Sequence, residues 1–283
     1  MERKKIGVLG AGTMGTEIAL CFAMYGYETV LGDINRKLAD KGKSRQAAIL
    51  DRQIAEGTLQ ARQKEEILSC VTTTGNLADM ADCDLIVEAI LEILEVKTNV
   101  YRQMDVICKP ETVIASATSS LSITKLASAV GPERAFIGMR FNAPASAMKL
   151  VEVVPGLQTQ EQTVTAVLEL LRAVGKEPVR VKDVVGFALN RMFHAFYLEA
   201  CRLVEEGGCS VEDVDKICLY GLGHPMGVFQ LIDQTGHDLN LYMDQRLFEA
   251  YGDRFRPSPQ LQRLRDAGRL GKKSGMGFYQ YGR

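Results

Sequence analysis

The 283-residue chain has no tryptophan, only three histidines and eight prolines, and almost no excess of either charge. Thirty-four Lys and Arg stand against thirty-five Asp and Glu, a formal net charge of −1. That balance offers no electrostatic basis for gripping nucleic acid or an anionic membrane surface, so neither is expected as a partner. No apolar run approaches the roughly 18 residues that cross a bilayer. The charged opening Met1-Glu2-Arg3-Lys4-Lys5 is followed by residues 6–10, a stretch too short and glycine-broken for a signal-peptide core, so no leader is expected. The seven cysteines (Cys21, Cys70, Cys83, Cys108, Cys201, Cys209, Cys218) form no Cys-x-x-Cys pair and no metal-ligand spacing. No metal site is expected, and the odd, scattered set predicts reduced thiols in a cytoplasmic protein.

What is present is a change of texture along the chain. Short β-branched runs alternate with longer helical patterns over the first two-thirds, which predicts βαβ units on a parallel sheet. Strands are expected at residues 5–9, 28–31, 71–74, 84–89, 113–116, 135–138, 150–154 and 178–181, and helices over residues 16–25, 35–56 and 160–174 among others. Leu85-Ile86-Val87 and Val113-Ile114-Ala115 are continuously apolar, as strands covered on both faces require. Beyond about Val181 no strand pattern appears. Phe187, Asn190, Arg191, His194, Tyr197, Leu198 and Cys201 instead recur at three and four residues, the mark of a helix with one inward face. The expected architecture is a doubly wound α/β domain over residues 1–184 followed by an all-helical domain over residues 185–283.

Gly10-Ala11-Gly12-Thr13-Met14-Gly15 is a Gly-x-Gly-x-x-Gly between an expected strand and an expected helix. Gly10 permits the tight turn, Gly12 lets backbone approach a pyrophosphate, and Gly15 lets helix and strand pack closely. The helix start, with Thr13 and Met14, offers free N–H groups to phosphate. Asp33 follows the second strand about 20 residues on, where a carboxylate accepts ribose hydroxyls and repels a 2′-phosphate. NAD is therefore expected over NADP, with Arg36 as a minor counter-indication.

With these marks in place the whole chain resembles the NAD-dependent L-3-hydroxyacyl-CoA dehydrogenases, particularly the short bacterial 3-hydroxybutyryl-CoA dehydrogenases. Besides the glycine turn, the resemblance rests on Asp84-Leu85-Ile86-Val87-Glu88-Ala89, Ser116-Ala117-Thr118-Ser119-Ser120-Leu121, Gly138-Met139-Arg140-Phe141 and Lys149-Leu150-Val151-Glu152-Val153-Val154. It continues through Gly186 to Asn190-Arg191, Gly223-His224-Pro225-Met226-Gly227 and the tail Leu270 to Tyr279. The resemblance implies a Rossmann-like domain, a helical substrate and dimerisation domain, and a homodimer. It also implies hydride transfer between NAD and C3 of an acyl thioester, probed most simply as a CoA-linked substrate. Carried over position by position, it implies substrate-side roles for Ser119, Glu152 and Asn190, and cofactor contacts for Ala89, Glu92, Lys97, Ser119, Asp33 and Lys273.

One position departs from the pattern. Where the resemblance implies a proton-accepting His oriented by the Glu, this chain has Arg140. A guanidinium stays protonated at working pH and accepts no proton, although it can pair with Glu152 or clamp a substrate carboxylate. Ala143 and Ala117 replace two asparagines that the resemblance also implies. The helix expected to carry CoA-directed lysines offers only Lys41, Lys43 and Arg45, which also read as an ordinary solvated face. Of the histidines, His194 lies one helical turn from Asn190 and reads first as a core residue; His224 belongs to a turn, and His237 reads as a surface residue at a helix start. Ser119 has no sequence-paired His for a hydrolase role, Cys83 and Cys108 read as packing residues, and Phe278, Tyr279 and Tyr281 as domain packing. Two alternatives stay open: a dehydrogenase of the same fold with another substrate, such as one bearing a carboxylate, and a catalytically silent NAD-binding subunit.

If Asp33 selects the cofactor, NADPH should bind at least about tenfold more weakly than NADH, or about 1.4 kcal/mol. Fluorescence titration with both nucleotides measures this, and equal affinities would remove Asp33 from the role.

Overall fold

The β-branched runs pair into one eight-stranded sheet in a computed structural model that describes residues 4–282; Met1 to Arg3 of the charged opening lie outside the described residues. The strands are β1 (Ile6–Leu9), β2 (Thr29–Gly32), β3 (Val71–Thr74), β4 (Leu85–Glu88), β5 (Val113–Ser116), β6 (Phe136–Phe141), β7 (Leu150–Val154) and β8 (Glu177–Arg180). They lie in the order β3-β2-β1-β4-β5-β6-β7-β8. Helices α1 (Thr13–Ala23), α2 (Arg36–Ala55), α3 (Ala61–Ser69), α4 (Leu94–Ile107) and α5 (Ile123–Ala127), with a short 3-10 turn at Leu77–Met80 between β3 and β4, return the chain between the first six strands, which are parallel. From β1 the chain winds one way to β3, then jumps to β4 and winds the other way. That switch leaves a crevice beyond the carboxyl ends of β1 and β4.

The sheet core follows from the apolar runs: β2 and β4 are buried along their whole length. Ile6, Val8, Leu31 and Val87 pack with Ile18, Leu20 and Phe22 of α1 in one cluster. α1 begins at Thr13, three residues before the pattern suggested, because the glycine turn leads straight into it. β6 differs most from expectation. It runs on past Gly138 through Arg140 to Phe141, and β7 pairs with it antiparallel rather than parallel. No helix separates these strands, so the chain must reverse in a hairpin, and pairing with β7 carries a glycine and an arginine into strand geometry. The register sets Arg140 directly opposite Glu152. α6 (Glu161–Ala173) then leads to β8, which lies parallel to β7.

By internal contacts the chain divides into one unit up to Val184 and another from Val185 onward. The second unit contains α7 (Leu189–Glu205), α8 (Val211–Lys216), a π-helical turn over Ile217–Gly221, α9 (Val228–Thr235), α10 (His237–Tyr251) and α11 (Pro259–Asp266). Phe187, expected on α7, precedes it at φ +45°, next to Gly186 at +76°. Tyr197, Leu198 and Cys201 form the inward face of α7 and meet Phe229, Ile232, Leu247 and Phe255. Phe278 stacks near Phe229 with ring centroids 4.6 Å apart, which brings the C-terminal tail onto this core. No helix among the described residues is long and apolar enough to cross a membrane.

Candidate active site

The crevice at the strand-order switch is a cavity of about 690 Å³, bordered by Gly10, Gly12, Asp33, Asn76, Ala89 and Ile90 among others. Gly10 has φ +103°, and a Cβ there would fall 2.5 Å from the Ala89 carbonyl oxygen. Gly15 is required as strictly, since its Cβ would fall 1.7 Å from the Gly10 carbonyl oxygen. Gly12 is different: a Cβ would meet nothing of the protein, so the outer face of the turn lies open to an approaching group. No side chain caps the start of α1 and no acidic residue lies in its first turn, which leaves its field available to an anion. Asp33 borders the same cavity. Its Oδ2 accepts from Ala11 N at 2.7 Å and its Oδ1 from Ile34 N at 2.7 Å. The carboxylate therefore braces the glycine turn while each oxygen keeps lone pairs for a ribose. These residues fit a dinucleotide.

Of the three cations weighed for a CoA phosphate, two are already engaged. Arg45 donates to Ala11 O at 3.2 Å and Lys43 to Val71 O at 2.6 Å, while Lys41 is exposed.

Beside the crevice a buried ionic chain organises the loop that carries Ser119. Glu88 ends β4 fully buried, and its Oε1 accepts from Lys97 Nζ at 2.5 Å and Ile90 N at 2.8 Å. Its Oε2 accepts from Ser116 Oγ at 2.9 Å and from the Tyr101 hydroxyl. Burial first, then the Glu88 charge, push the Tyr101 phenol well above its ordinary range, so it stays a donor. Lys97, 1% exposed, also pairs with Glu92 at 3.1 Å. Glu92 Oε1 gathers Ser119 N at 3.2 Å, Ser120 N at 3.2 Å, Ser120 Oγ at 2.8 Å and the Thr118 hydroxyl. Burial alone would push the Glu92 carboxyl up. Lys97 and these hydroxyls outweigh it and hold Glu92 below the ordinary carboxylate range. Lys97 is thus committed to two carboxylates inside the unit, and Glu92 shapes the Ser119 backbone. Glu88 and Tyr101 are functional residues that the sequence reading did not single out for a role. The available signal was a lone carboxylate closing the apolar run Leu85-Ile86-Val87-Glu88 in a strand covered on both faces.

On the neighbouring hairpin, Arg140 Nη1 donates to Glu152 Oε2 at 3.0 Å and to Asn142 Oδ1 at 2.7 Å. Both side chains are well buried, at 12% and 2% exposed. Burial pulls the guanidinium below its usual range and the Glu152 charge opposes that pull, so Arg140 remains a cation at neutral pH. Ser119, Arg140 and Glu152 belong to the first unit; Asn190 and Lys273 belong to the second. Asn190 is half-buried in the first turn of α7, and Lys273 donates to Asp238 Oδ1 at 2.5 Å.

The histidines separate clearly. His194 is buried with Nδ1 2.8 Å from Asp244 Oδ1, and Tyr197 donates to the same carboxylate. His224 is exposed against Phe196. His237, read from the sequence as a surface residue, is instead fully buried with Nε2 2.6 Å from Asp233 Oδ1. It opens α10 as expected, but the C-terminal tail covers it: the Phe278 ring lies 5.4 Å from its own.

Comparison with known proteins places this geometry. The family model described as 3-hydroxyacyl-CoA dehydrogenase, NAD binding domain, matches residues 5–184, and that described as 3-hydroxyacyl-CoA dehydrogenase, C-terminal domain, matches residues 186–281. A probable 3-hydroxybutyryl-CoA dehydrogenase of Deinococcus radiodurans is 41% identical over 278 residues, covering 98% of this chain and 100% of that protein. The 3-hydroxybutyryl-CoA dehydrogenase of Bradyrhizobium diazoefficiens is 38% identical over 282 residues, covering 98% of this chain and 95% of that protein. The crystal structure of (S)-3-hydroxybutyryl-CoA dehydrogenase from Ralstonia eutropha superposes with a TM-score of 0.95 at 36% identity and covers both chains fully, at 100% each.

Lys97→Met would leave Glu88 and Glu92 without their shared cation. Breaking a buried pair from one side costs about 3–5 kcal/mol, which urea unfolding measures; a loss below about 1 kcal/mol would show that the carboxylates have another source of compensation. The sign for pH follows from the depressed Glu92: its contribution in the wild type is complete above about pH 5 and is lost as pH falls through the lowered value.

Proposed function

The chain belongs to the 3-hydroxyacyl-CoA dehydrogenase family and is an NAD-dependent oxidoreductase of 3-hydroxyacyl-CoA, and from that premise we propose that its substrate is short-chained, such as 3-hydroxybutyryl-CoA, and that Arg140 supplies a permanent cation at the reacting oxygen. The crevice carries the cofactor half of this reading: the uncapped start of α1, the open face at Gly12, and Asp33 braced on Ala11 N. We assign Gly10, Gly12, Thr13, Met14, Gly15, Asp33 and Ala89 to holding the dinucleotide. NAD, when bound, supplies the hydride acceptor for C3 of the alcohol, and its reduced form the donor for the ketone.

The remaining work falls to side chains. Ser119, on the backbone that Glu92 organises, is assigned to hydrogen-bond the C3 oxygen, and so is Asn190 of the second unit. Arg140, held by Glu152 and Asn142, favours negative charge on that oxygen, which develops as the ketone accepts hydride. A guanidinium does not take up the hydroxyl proton, so that proton is exchanged with solvent. His194 does not replace the missing base on this reading, because it is buried on Asp244. Glu92 and Lys97 serve the cofactor side through the Ser119 loop, and Lys273 is assigned to the cofactor from the second unit.

Turnover of acetoacetyl-CoA with NADH tests the assignment. Without a titrating base the wild type should be slower than a His-bearing site by about 10²–10⁴-fold. Arg140→His, with Ala143→Asn to rebuild the loop, should raise the rate and introduce a break near pH 6.5 that the wild type lacks. Fast wild-type turnover with a neutral-pH break would show that another group takes the proton. No gain from the double variant would move a carboxylate-bearing substrate, or a silent subunit, ahead of this reading.

We infer further that the chain forms a homodimer through its second unit and works in the cytoplasm. Met192 at 71%, Tyr220 at 86% and Leu222 at 54% exposure support an apolar interface on that unit, and seven unpaired cysteines suit a reducing compartment. Light scattering at micromolar concentration should give twice the chain mass; a monomer would refute the dimer.

A further inference from the structure

The hairpin between β6 and β7, residues 142–149, carries at its start the Asn142 that holds Arg140 and leads at its end into the strand of Glu152. Such a loop has no strand partner to set its conformation, yet two buried ions grip it. Lys176, 7% exposed at the turn before β8, donates from Nζ to Ala145 O at 2.6 Å and Met148 O at 3.0 Å. The Cys21 thiol of α1 donates to the same Ala145 oxygen at 3.0 Å and lies beside the Lys176 ammonium. From the same helix Glu17, 9% exposed, accepts through Oε2 from Ser146 N at 3.2 Å and Ser146 Oγ at 3.3 Å. Ala145, between these holds, is fully buried.

Burying an ammonium and a carboxylate under a short loop is an expensive way to gain stability, because apolar side chains of similar volume pack there at lower cost. What the ions add is direction. The cation takes only acceptors and the anion only donors, so together they restrict which way the loop's carbonyls and N–H groups can turn. We propose that Lys176 and Glu17 are positioning residues for the reaction: they fix the 142–149 hairpin against α1 and thereby fix Asn142, and through it the Arg140 guanidinium, at the reacting centre. The chain of contacts is continuous, from Lys176 and Glu17 to Ala145, Ser146 and Met148, along the hairpin to Asn142, and to Arg140. It also joins the helix that follows the glycine turn to the strands that hold the charged pair. This rests on the assignment of Arg140 and Glu152 to the substrate oxygen.

The test combines hydrogen exchange, NADH titration and steady-state kinetics on the full chain, well below its melting temperature. Lys176→Met should speed exchange of the 142–149 amides by about tenfold or more while β1 and β4 stay protected. Acetoacetyl-CoA turnover should fall about tenfold or more in kcat, with KM and the NADH Kd within about twofold, since a displacement near 1 Å costs chemistry far more than binding. Glu17→Gln should show the same split at smaller size, and it carries the test alone if Lys176→Met does not fold. Unchanged loop exchange would overturn the proposal. So would a kcat within about twofold of wild type despite faster exchange, because the grip would then be structural only. A wild type that turns over no acetoacetyl-CoA would instead overturn the functional assignment, and the exchange arm would still decide whether the two ions fix the loop.

Discussion

Glu88 closes the central strand β4 with none of its surface exposed, and the site in the first unit is built outward from that carboxylate. An anion in that position is tolerable only if every lone pair is used. Lys97 and Tyr101 from α4, Ser116 from β5 and the Ile90 amide use them. Because these donors come from α4, from β5 and from the loop just after β4, satisfying the charge ties β4 to both neighbouring elements. Lys97, held there, is left with reach to Glu92, and Glu92 accepts the Ser119 and Ser120 amides and so holds the backbone that carries Ser119. The order is physical: without the buried anion there is no reason for the lysine to be inside, and without the lysine burial would push the Glu92 carboxyl up and make it a weaker acid.

The second unit solves a similar problem with Asp233. That carboxylate is fully buried and accepts from His237, from the Phe278 and Tyr279 amides and from the Tyr281 hydroxyl. Burial raises its pKa and these donors lower it further than burial raises it. Asp215 does the same for the amides of Phe229 and Gln230 and the Tyr279 hydroxyl. The aromatic tail is therefore part of the helical core rather than an appendage. In each unit buried carboxylates tie together segments that are distant in sequence.

The hairpin pair has a different logic. Arg140 and Glu152 face each other because β6 and β7 are antiparallel and in a register that sets them opposite. A neutral imidazole in that place could take a proton; a guanidinium keeps the charge pairing and loses the titration. What the hairpin holds is therefore a fixed pair of opposite charges in which the cation does not titrate near neutral pH.

Much of this was legible in the chain alone, and the reason is locality. Strand and helix periods, the glycine turn and the acidic residue after β2 are set by neighbours within a few residues, so the doubly wound sheet, the helical second unit and the cofactor loop could be read directly. The reach of β6 beyond Gly138 was not legible, because Met139, Arg140 and Phe141 are held in strand geometry by pairing with β7, past the register that β5 covers. Nor was the burial of His237, which depends on a tail 41 positions away in the chain folding over it, as the Phe278 ring does. Lys176 and Glu17 look in sequence like ordinary surface charges. Whether a charge lies in water or inside is decided by which donors and acceptors surround it, and here those come from residues separated by as many as 129 positions. Periodicity and local turn chemistry determined the elements; the compensation of buried charge, a property of the assembled structure alone, decided where the working side chains point.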